Sequence, residues 1–582
     1  MKWNGTLTTV VYVATMNGSL YAFNGAPTAG NCPTQLAGPV SLLNPGESAP
    51  TCNFLGGTNC QTIAPRVGIL GTPVISATTL SDGSTGGTIY AVVESTDGTN
   101  YYHRLWALDI ATLSLTTASK ELIDPGQSTG CSTNSNFSKT HIQRPALLLG
   151  GDGYLYIAFS MMDGNAKPYP YGALFAFNTA SLSTYPRCLA LAVSTTNTND
   201  GAGIWGGGGG PAFATDPNDG KYYVFLNTGN GGFDGSTLWG DSFLKISCAN
   251  SNYCSSPLTV ANSYTPGDQY WRSHDQLHYG SNCSKDGDVD LGSGSPMLIP
   301  DSENSSYPYL AVSADKEGAL WFMDWRTPGG YTNQNHSDPC QNTTSTDANV
   351  QIFPISGSFP GGPLTHTNLA FWETGSTEQN STNYVFVGPA KDGNPNGGEL
   401  LRYQICPTGK PINNTSPCSS ALTYAYAVPG TPLPFLWGVT PAVSASTDVT
   451  DPPDALLWAI SADGSVLSTK SPFQWTNPHD QEVIKFGASN PGVLYAFDID
   501  TMKKLYGTQD CGNADLIDPA TKYSVATVAN GYVYLGSLGP EQDPTSTQCQ
   551  ADGTTGGAPY AQCFNVGGFY IFGHFSTPRS CS

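Results

Sequence analysis

Arg144-Pro145-Ala146-Leu147, then Tyr154-Leu155-Tyr156-Ile157, then Leu174-Phe175-Ala176-Phe177-Asn178 is the stretch on which the fold turns. It reads as a short apolar strand opened by Pro, an aromatic-rich strand, a loop, and a strand closing on Ala-Phe-Asn. Val, Ile, Tyr, Phe and Trp in short runs bounded by Gly, Asp and Asn are strand signals, and no helical period of useful length interrupts them. The same order lies upstream as Gly71-Thr72-Pro73-Val74-Ile75, Ile89-Tyr90-Ala91-Val92 and Leu105-Trp106-Ala107-Leu108-Asp109. Downstream it returns as Gly210-Pro211-Ala212-Phe213, Tyr223-Val224-Phe225-Leu226 and Phe243-Leu244-Lys245-Ile246. A further copy runs Ser295-Pro296-Met297-Leu298, Tyr309-Leu310-Ala311-Val312, Leu320-Trp321-Phe322-Met323-Asp324, and later ones open near Asn368, Pro441 and Val525.

Equivalent positions fall at 73, 145, 211, 296, 368, 441 and 525, a spacing of 66 to 85 residues. Self-similarity at a near-even period is the mark of a repeat architecture. Alternating strands in every copy point to four-stranded sheets arranged radially, a β-propeller. Val10-Val11-Tyr12-Val13-Ala14 and Leu20-Tyr21-Ala22-Phe23-Asn24 match the second and third strands of the pattern, as do Tyr532-Val533-Tyr534-Leu535 and Phe569-Tyr570-Ile571-Phe572. Because both ends supply the same two strands, they do not complete one shared sheet. The expected fold is all-β, a single β-propeller over residues 1–582 with eight four-stranded blades, the first lacking its opening strand. Seven blades is the runner-up. The period exceeds the ~40–50 residues of compact blades, so long inter-strand loops are expected.

Composition narrows the function. The 582 residues hold 23 Lys+Arg against 44 Asp+Glu, a formal charge of −21, and only 12% are charged, against roughly 25% in ordinary soluble proteins. With 39% apolar residues, including 30 Tyr, 23 Phe and 11 Trp, the chain has ample core, which excludes disorder as the main state. No apolar run approaches the ~18–20 residues of a membrane helix, and so acidic a chain is a poor partner for nucleic acid. The scarcity of Lys and Arg fits an acidic habitat, where protonating carboxylates would bring the net charge toward zero.

Fifteen cysteines are many for a cytosolic protein. Close pairs stand in polar loops: Cys52 and Cys60, Cys248 and Cys254, Cys406 and Cys418, Cys549 and Cys563. No CxxC metal motif occurs, so they read as disulfides in an oxidising compartment, extracellular or periplasmic. Met1-Lys2-Trp3-Asn4-Gly5 leads straight into strand-like sequence, and we read the start as a cut end with any signal peptide missing.

Several segments resemble the pyrroloquinoline-quinone (PQQ)-like β-propeller repeat family: Tyr12-Val13-Ala14-Thr15 with Leu20-Tyr21-Ala22-Phe23, Gly492-Val493-Leu494-Tyr495-Ala496-Phe497-Asp498, and Val528-Ala529-Asn530-Gly531-Tyr532-Val533-Tyr534. Gly203-Ile204-Trp205 running to Gly210-Pro211-Ala212, Thr228-Gly229-Asn230 with Phe233-Asp234, Asp290-Leu291-Gly292-Ser293-Gly294 and Asp315-Lys316-Glu317-Gly318 resemble a secreted bacterial branch. For dehydrogenases of this family the resemblance implies a quinone over the propeller centre, Ca²⁺ as Lewis acid and an Asp as base. The chain departs from that pattern. No two cysteines are adjacent, no Thr-Gly…Trp docking motif follows Ala-Phe-Asp, and no CxxCH haem site is present.

The copies place Arg144, Trp205, Asp290, Lys316, His366 and Trp437 at blade openings or inter-strand turns, where propeller ligands sit. Asp290 and His366 are the candidate catalytic bases, and Arg144, Trp205, Lys316 and Trp437 the candidate cofactor-binding residues. Asp286, Asp288 and Asp290 alternate as in a Ca²⁺ loop but lack its sixth-position Gly and distal Glu, so a solvated acidic turn is the competing reading. Gly206 to Gly210 lacks the phosphate-loop Lys-Ser/Thr and reads as close backbone approach at a crowded axis. Asp216 to Gly220 reads as a hairpin turn. His274 and His278 stand four apart in loop-like sequence, a weak pattern for zinc.

Three functions are expected, in this order. The first is a secreted ligand-binding or interaction scaffold for carbohydrate or a protein partner. The second is a PQQ- and Ca²⁺-dependent oxidoreductase acting on an alcohol or sugar. The third is a carbohydrate-active hydrolase or lyase.

Overall fold

The computed structural model describes residues 1–27, 33–51, 66–131, 137–161, 172–192, 201–248, 258–267, 269, 290–299, 308–316, 318–331, 351–354, 367–374, 382–389, 400–405, 422–425, 438–445, 455–461, 473–476, 483–486, 492–508, 517, 523–537 and 569–572. The described chain is nearly all β. Helix there is confined to the four-residue Phe137–Thr140 and short 3₁₀ turns such as Leu291–Ser293. Two compact units emerge: residues 1–368 with 407–411, and residues 369–406 with 412–582.

In the first unit a two-stranded hairpin, Lys2–Trp3 with Thr6–Leu7, precedes five larger sheets that follow one another along the chain. The first is Val10–Ala14, Ser19–Asn24 and Gln35–Ser41. The second is Val74–Thr79, Thr85–Thr96, Tyr101–Asp109 and Leu115–Leu122. In the third, His141–Ile142 and Leu148–Leu149 both pair with Tyr154–Met161, followed by Gly172–Asn178 and Arg187–Ala190. The fourth is Ala212–Thr215, Tyr222–Asn227, Phe243–Cys248 and Leu258–Thr265, joined in parallel by Gly330–Tyr331. The fifth is Met297–Leu298, Leu310–Ala314, Ala319–Asp324 and Gln351–Pro354. The second unit holds three more larger sheets, Ala370–Thr374 to Leu422–Ala425; Ala442–Ser444, Leu456–Ser461, Val493–Asp498 and Lys504–Gly507; and Thr527–Ala529 to Phe569–Phe572, together with the two-stranded Phe473–Thr476 and Val483–Phe486. Consecutive strands pair antiparallel, as short meandering connections require.

Middle strands of the second to fifth sheets are buried on both faces, since side chains alternate and, in the second to fourth, each face meets a neighbouring sheet. Ile89, Ala91 and Val93 pack with Leu20 and Ala22 of the first sheet. Tyr90 and Val92, one residue out of phase, pack with Leu155, Ile157, Phe159 and Phe175 of the third. Tyr156 and Leu174 then meet Val224 and Leu226 of the fourth, whose Phe225 and Phe243 meet Trp321 and Met323 of the fifth. In the second unit the same relay runs from Phe386 to Leu457 and Phe497, and from Ile460 and Leu494 to Val533 and Leu535. Burying an aliphatic or aromatic side chain stabilises by about 1.5–3 kcal/mol, so this face-to-face stacking carries the fold. The edge strand Val74–Thr79 is by contrast largely exposed.

Turns recur as well as strands. Asp152 accepts from the Tyr154 amide and, at 2.5 Å, from the Tyr156 hydroxyl. Asp219 does the same with Lys221 and Tyr223, and Asp315 with Ala319 and the Trp321 indole. The Asp ending the third strand also has a reason. Asp109 accepts from Ala111 N and Thr112 Oγ1, and Asp498 from Thr501 N and Oγ1. Four residues on, buried Leu113 and Met502 both adopt positive φ, 53° and 57°. The expected hairpin at Asp216 to Gly220 forms, with Gly220 at φ 68° and its amide on the Asp216 carbonyl.

A disulfide joins Cys131, after the second sheet, to Cys188 in the last strand of the third. Sequence spacing did not single out this pair. Of the close pairs, Cys52 and Cys60, Cys406 and Cys418, Cys549 and Cys563, and Cys254 lie outside the described residues.

Candidate functional site

Sheet openings of the first unit meet through hydrogen bonds. The Leu147 amide donates to Thr72 O, and Ala146 to Gly209 O. Asn368 donates to Gly207 O at 2.7 Å and Gly206 O at 3.4 Å, while its Oδ1 accepts from Ser295 N at 2.6 Å. One side chain thus clasps the openings of the fourth and fifth sheets. The glycine run permits this. A β-carbon at Gly209 would stand 2.7 Å from Asn368 Oδ1, one at Gly210 2.4 Å from Ala146 O, and Gly206 and Gly208 take positive φ. The expectation of close backbone approach holds at these residues.

Against this junction lies a cluster built from the third, fourth and fifth sheets. Asp290, 3% exposed, stands immediately before the Leu291–Ser293 turn. Its Oδ2 accepts from Lys316 Nζ at 2.6 Å, its Oδ1 from the Asn230 amide at 2.7 Å, and its carbonyl from the Lys316 amide at 3.2 Å. Lys316, 7% exposed, occupies the tight turn before Ala319–Asp324 that Asp315 and Gly318 (φ 84°) lock. Trp205, 9% exposed, accepts at its carbonyl from Arg144 Nε at 2.9 Å, and the Arg144 guanidinium stands 5.1 Å from the centre of its ring. Gly229 brings the parts together: a β-carbon there would lie 2.4 Å from Asp290 Oδ1 and 2.7 Å from Trp205 Nε1. Only Gly lets the carboxylate and the indole approach this backbone.

Four of the six residues singled out in the sequence, Arg144, Trp205, Asp290 and Lys316, therefore meet in one cluster. His366 and Trp437 lie outside the described residues, as do Asp286, Asp288, His274 and His278. Sequence reading missed Asp241. Fully buried at φ 47°, it accepts from the Leu291 amide at 3.1 Å and donates its own amide to Gly229 O. Nothing in its local sequence signals a grip fifty residues away.

Chemically the cluster offers two cations, one carboxylate and an indole. Calcium takes six to eight oxygens. Here an ammonium stands on the Asp290 oxygen, and among the described residues no group of three His, Cys, Asp or Glu side chains could hold a metal. The described donor set does not fit Ca²⁺.

No family model and no curated protein matches the chain. Among solved structures, a europium-containing methanol dehydrogenase aligns over 91% of this chain and 81% of its own, at 11% identity and a TM-score of 0.45. The quinohemoprotein alcohol dehydrogenase ADHIIG of Pseudomonas putida HK5 aligns over 91% and 69%, at 13% identity and 0.39. One from Comamonas testosteroni gives 81% and 70%, at 12% and 0.35. Likenesses this distant carry no inference about activity, which has to rest on the geometry of the cluster.

Proposed function

We propose that the chain is an exported ligand-binding β-propeller, its eight successive sheets forming the blades of one ring. Its ligand site is the Arg144–Trp205–Asp290–Lys316 cluster, and its ligand is a planar, anionic small molecule. The observation that carries this is convergence: side chains from three sheets meet at one junction, the arrangement a small-molecule site needs. Arg144 and Lys316 outnumber the one carboxylate, favouring an anion, and the Trp205 indole suits a flat ring. The Cys131–Cys188 disulfide supports an extracellular or periplasmic location.

Quinone-dependent oxidation of an alcohol or sugar is the second reading, favoured by a carboxylate beside a cation and an indole. Against Asp290 as base, each of its oxygens already accepts a hydrogen bond, one of them from an ammonium. Taking a proton would leave the buried Lys316 ammonium facing a neutral acid, which disfavours that role. Binding is the better supported role. Glycoside hydrolysis is supported least. It needs two carboxylates facing a bond, and Asp241, a carboxylate outside the four-residue cluster, is fully buried on the Leu291 amide.

The test is titration of the purified chain with PQQ, with and without Ca²⁺, followed by tryptophan quenching and quinone absorbance, then dye-coupled alcohol oxidation. Saturable uptake that weakens at least tenfold in Arg144→Ala supports the site. Uptake with turnover promotes the second reading. No uptake of PQQ or of other planar carboxylates, with glycans or a protein bound instead, would return the chain to a scaffold without this site.

A further inference from the structure

The most unusual buried group lies away from that cluster. Glu94 and His103 are directly paired residues on neighbouring strands of the second sheet, 2% and 0% exposed. Glu94 Oε2 lies 3.2 Å from His103 Nε2, within ion-pair distance but off the line of a hydrogen bond, and neither side chain has a hydrogen-bond partner among the described residues. Both share the sheet face of Tyr90, Val92 and Leu105, which packs on the third sheet. The His103 ring meets Phe137 and Phe159 edge-on, at 6.3 and 5.0 Å. The titratable neighbours are His141, whose ring stacks on Phe137, and Tyr101. The charged pair of Glu47 and Arg104 belongs to the opposite face.

We propose that Glu94 and His103 hold one proton between them, a carboxylic acid beside a neutral imidazole, and so set the fold's stability optimum in mildly acidic solution. In water, moving a proton from imidazolium to carboxylate is unfavourable by roughly a hundredfold. Taking both ions out of water into an aromatic pocket is costlier still. Burial accordingly pushes Glu94 well above the ordinary carboxyl range, and burial with the nearby His141 pushes His103 down to about 3. The two groups act in opposite senses. Glu94, raised, contributes stability fully present below its unfolded pKa and lost as pH rises. His103, depressed, contributes stability present above its unfolded pKa and lost as pH falls. Between about pH 4.3 and 6.5 the unfolded chain carries one proton on these two residues, as does the folded pair, so the pair adds no slope. Below that window the unfolded chain holds one proton more, and above it one fewer, so stability falls on both sides.

Equilibrium unfolding in denaturant across pH 4 to 8 tests this on the full chain. Relative to wild type, Glu94→Gln should gain about tenfold in folding equilibrium per pH unit as pH rises above about 4.3. His103→Gln should gain about tenfold per unit as pH falls below about 6.5. Taking differences cancels every other titrating group. Flat difference curves would overturn the proposal; a charged pair holds the same single proton, so the ¹⁵N shifts of histidine-labelled wild-type protein separate the two, and a buried ring that stays protonated from pH 5 to 7 overturns the proposal as well. Should a variant fail to fold, wild-type protein labelled with ¹⁵N-histidine still decides. One ring of the eight must stay neutral from pH 7 to 5, and titration of all eight near 6.5 sinks the idea.

Discussion

Asp290 and Lys316 are each more than nine-tenths buried, so the two charges exist there only as a pair. Replacing Lys316 by Met leaves a buried carboxylate without its ammonium, and such cuts cost about 3–5 kcal/mol. The double change Asp290→Asn with Lys316→Met should recover most of that, as a denaturant-unfolding cycle would measure. Gly229→Ala asks something different: its methyl has no room between Asp290 Oδ1 and Trp205 Nε1. It should cost about 1–3 kcal/mol and reduce PQQ-induced tryptophan quenching more than Arg144→Ala does, which titration would show. Arg144, Trp205, Asp290 and Lys316 were legible because the repeat marks sheet openings and inter-strand turns, and each stands at or near one of them. The roles of Asp241 and Asn368 were not, since their side chains bind backbone groups of other copies, and Asn230 acts through its own amide, which no residue type signals.

For the strands and turns, the aromatic runs were readable because alternation alone makes a strand with two apolar faces. The final Asp of Ala-Phe-Asp was visible as a motif, but its work was not. It closes a turn whose fourth residue, Leu113 or Met502, takes a left-handed backbone. Asp498→Ala should therefore destabilise by about 1 kcal/mol through loss of the Thr501 amide and hydroxyl bonds, read as a shifted urea midpoint with unchanged m. The Cys131–Cys188 link escaped sequence reading because its partners stand 57 residues apart in different copies. Closing a loop of that length is worth about 4 kcal/mol by chain entropy. Cys131→Ala with Cys188→Ala should lose up to that amount, measured by unfolding at fixed temperature.

At the level of the whole chain, the net charge of −21 makes repulsion the first expectation. Added salt should raise the melting temperature at pH 8 more than at pH 5, because protons taken up by histidines and a minority of carboxylates by pH 5 lower the net negative charge that salt screens. Turn carboxylates resist acid. Amides of Asn100 and Thr99 hold Asp97 below the ordinary range, and the Thr501 hydroxyl does so for Asp498. A depressed carboxyl contributes stability above its unfolded value that is lost only as pH falls toward the folded one. Circular dichroism should thus report native structure down to about pH 4, the ordinary Asp value, with loss below it. The order of the strands within the copies was readable, whereas side-chain contacts between distant copies of the first unit are encoded by no periodicity. Asn368 makes the cost of such distance concrete. A ribosome must synthesise past Asn368 before the glycine carbonyls at 206 and 207 and the Ser295 amide can find their common partner. A nascent chain halted just short of that point should have its middle strands in place and its inner ends untied, the state in which chaperones would meet it.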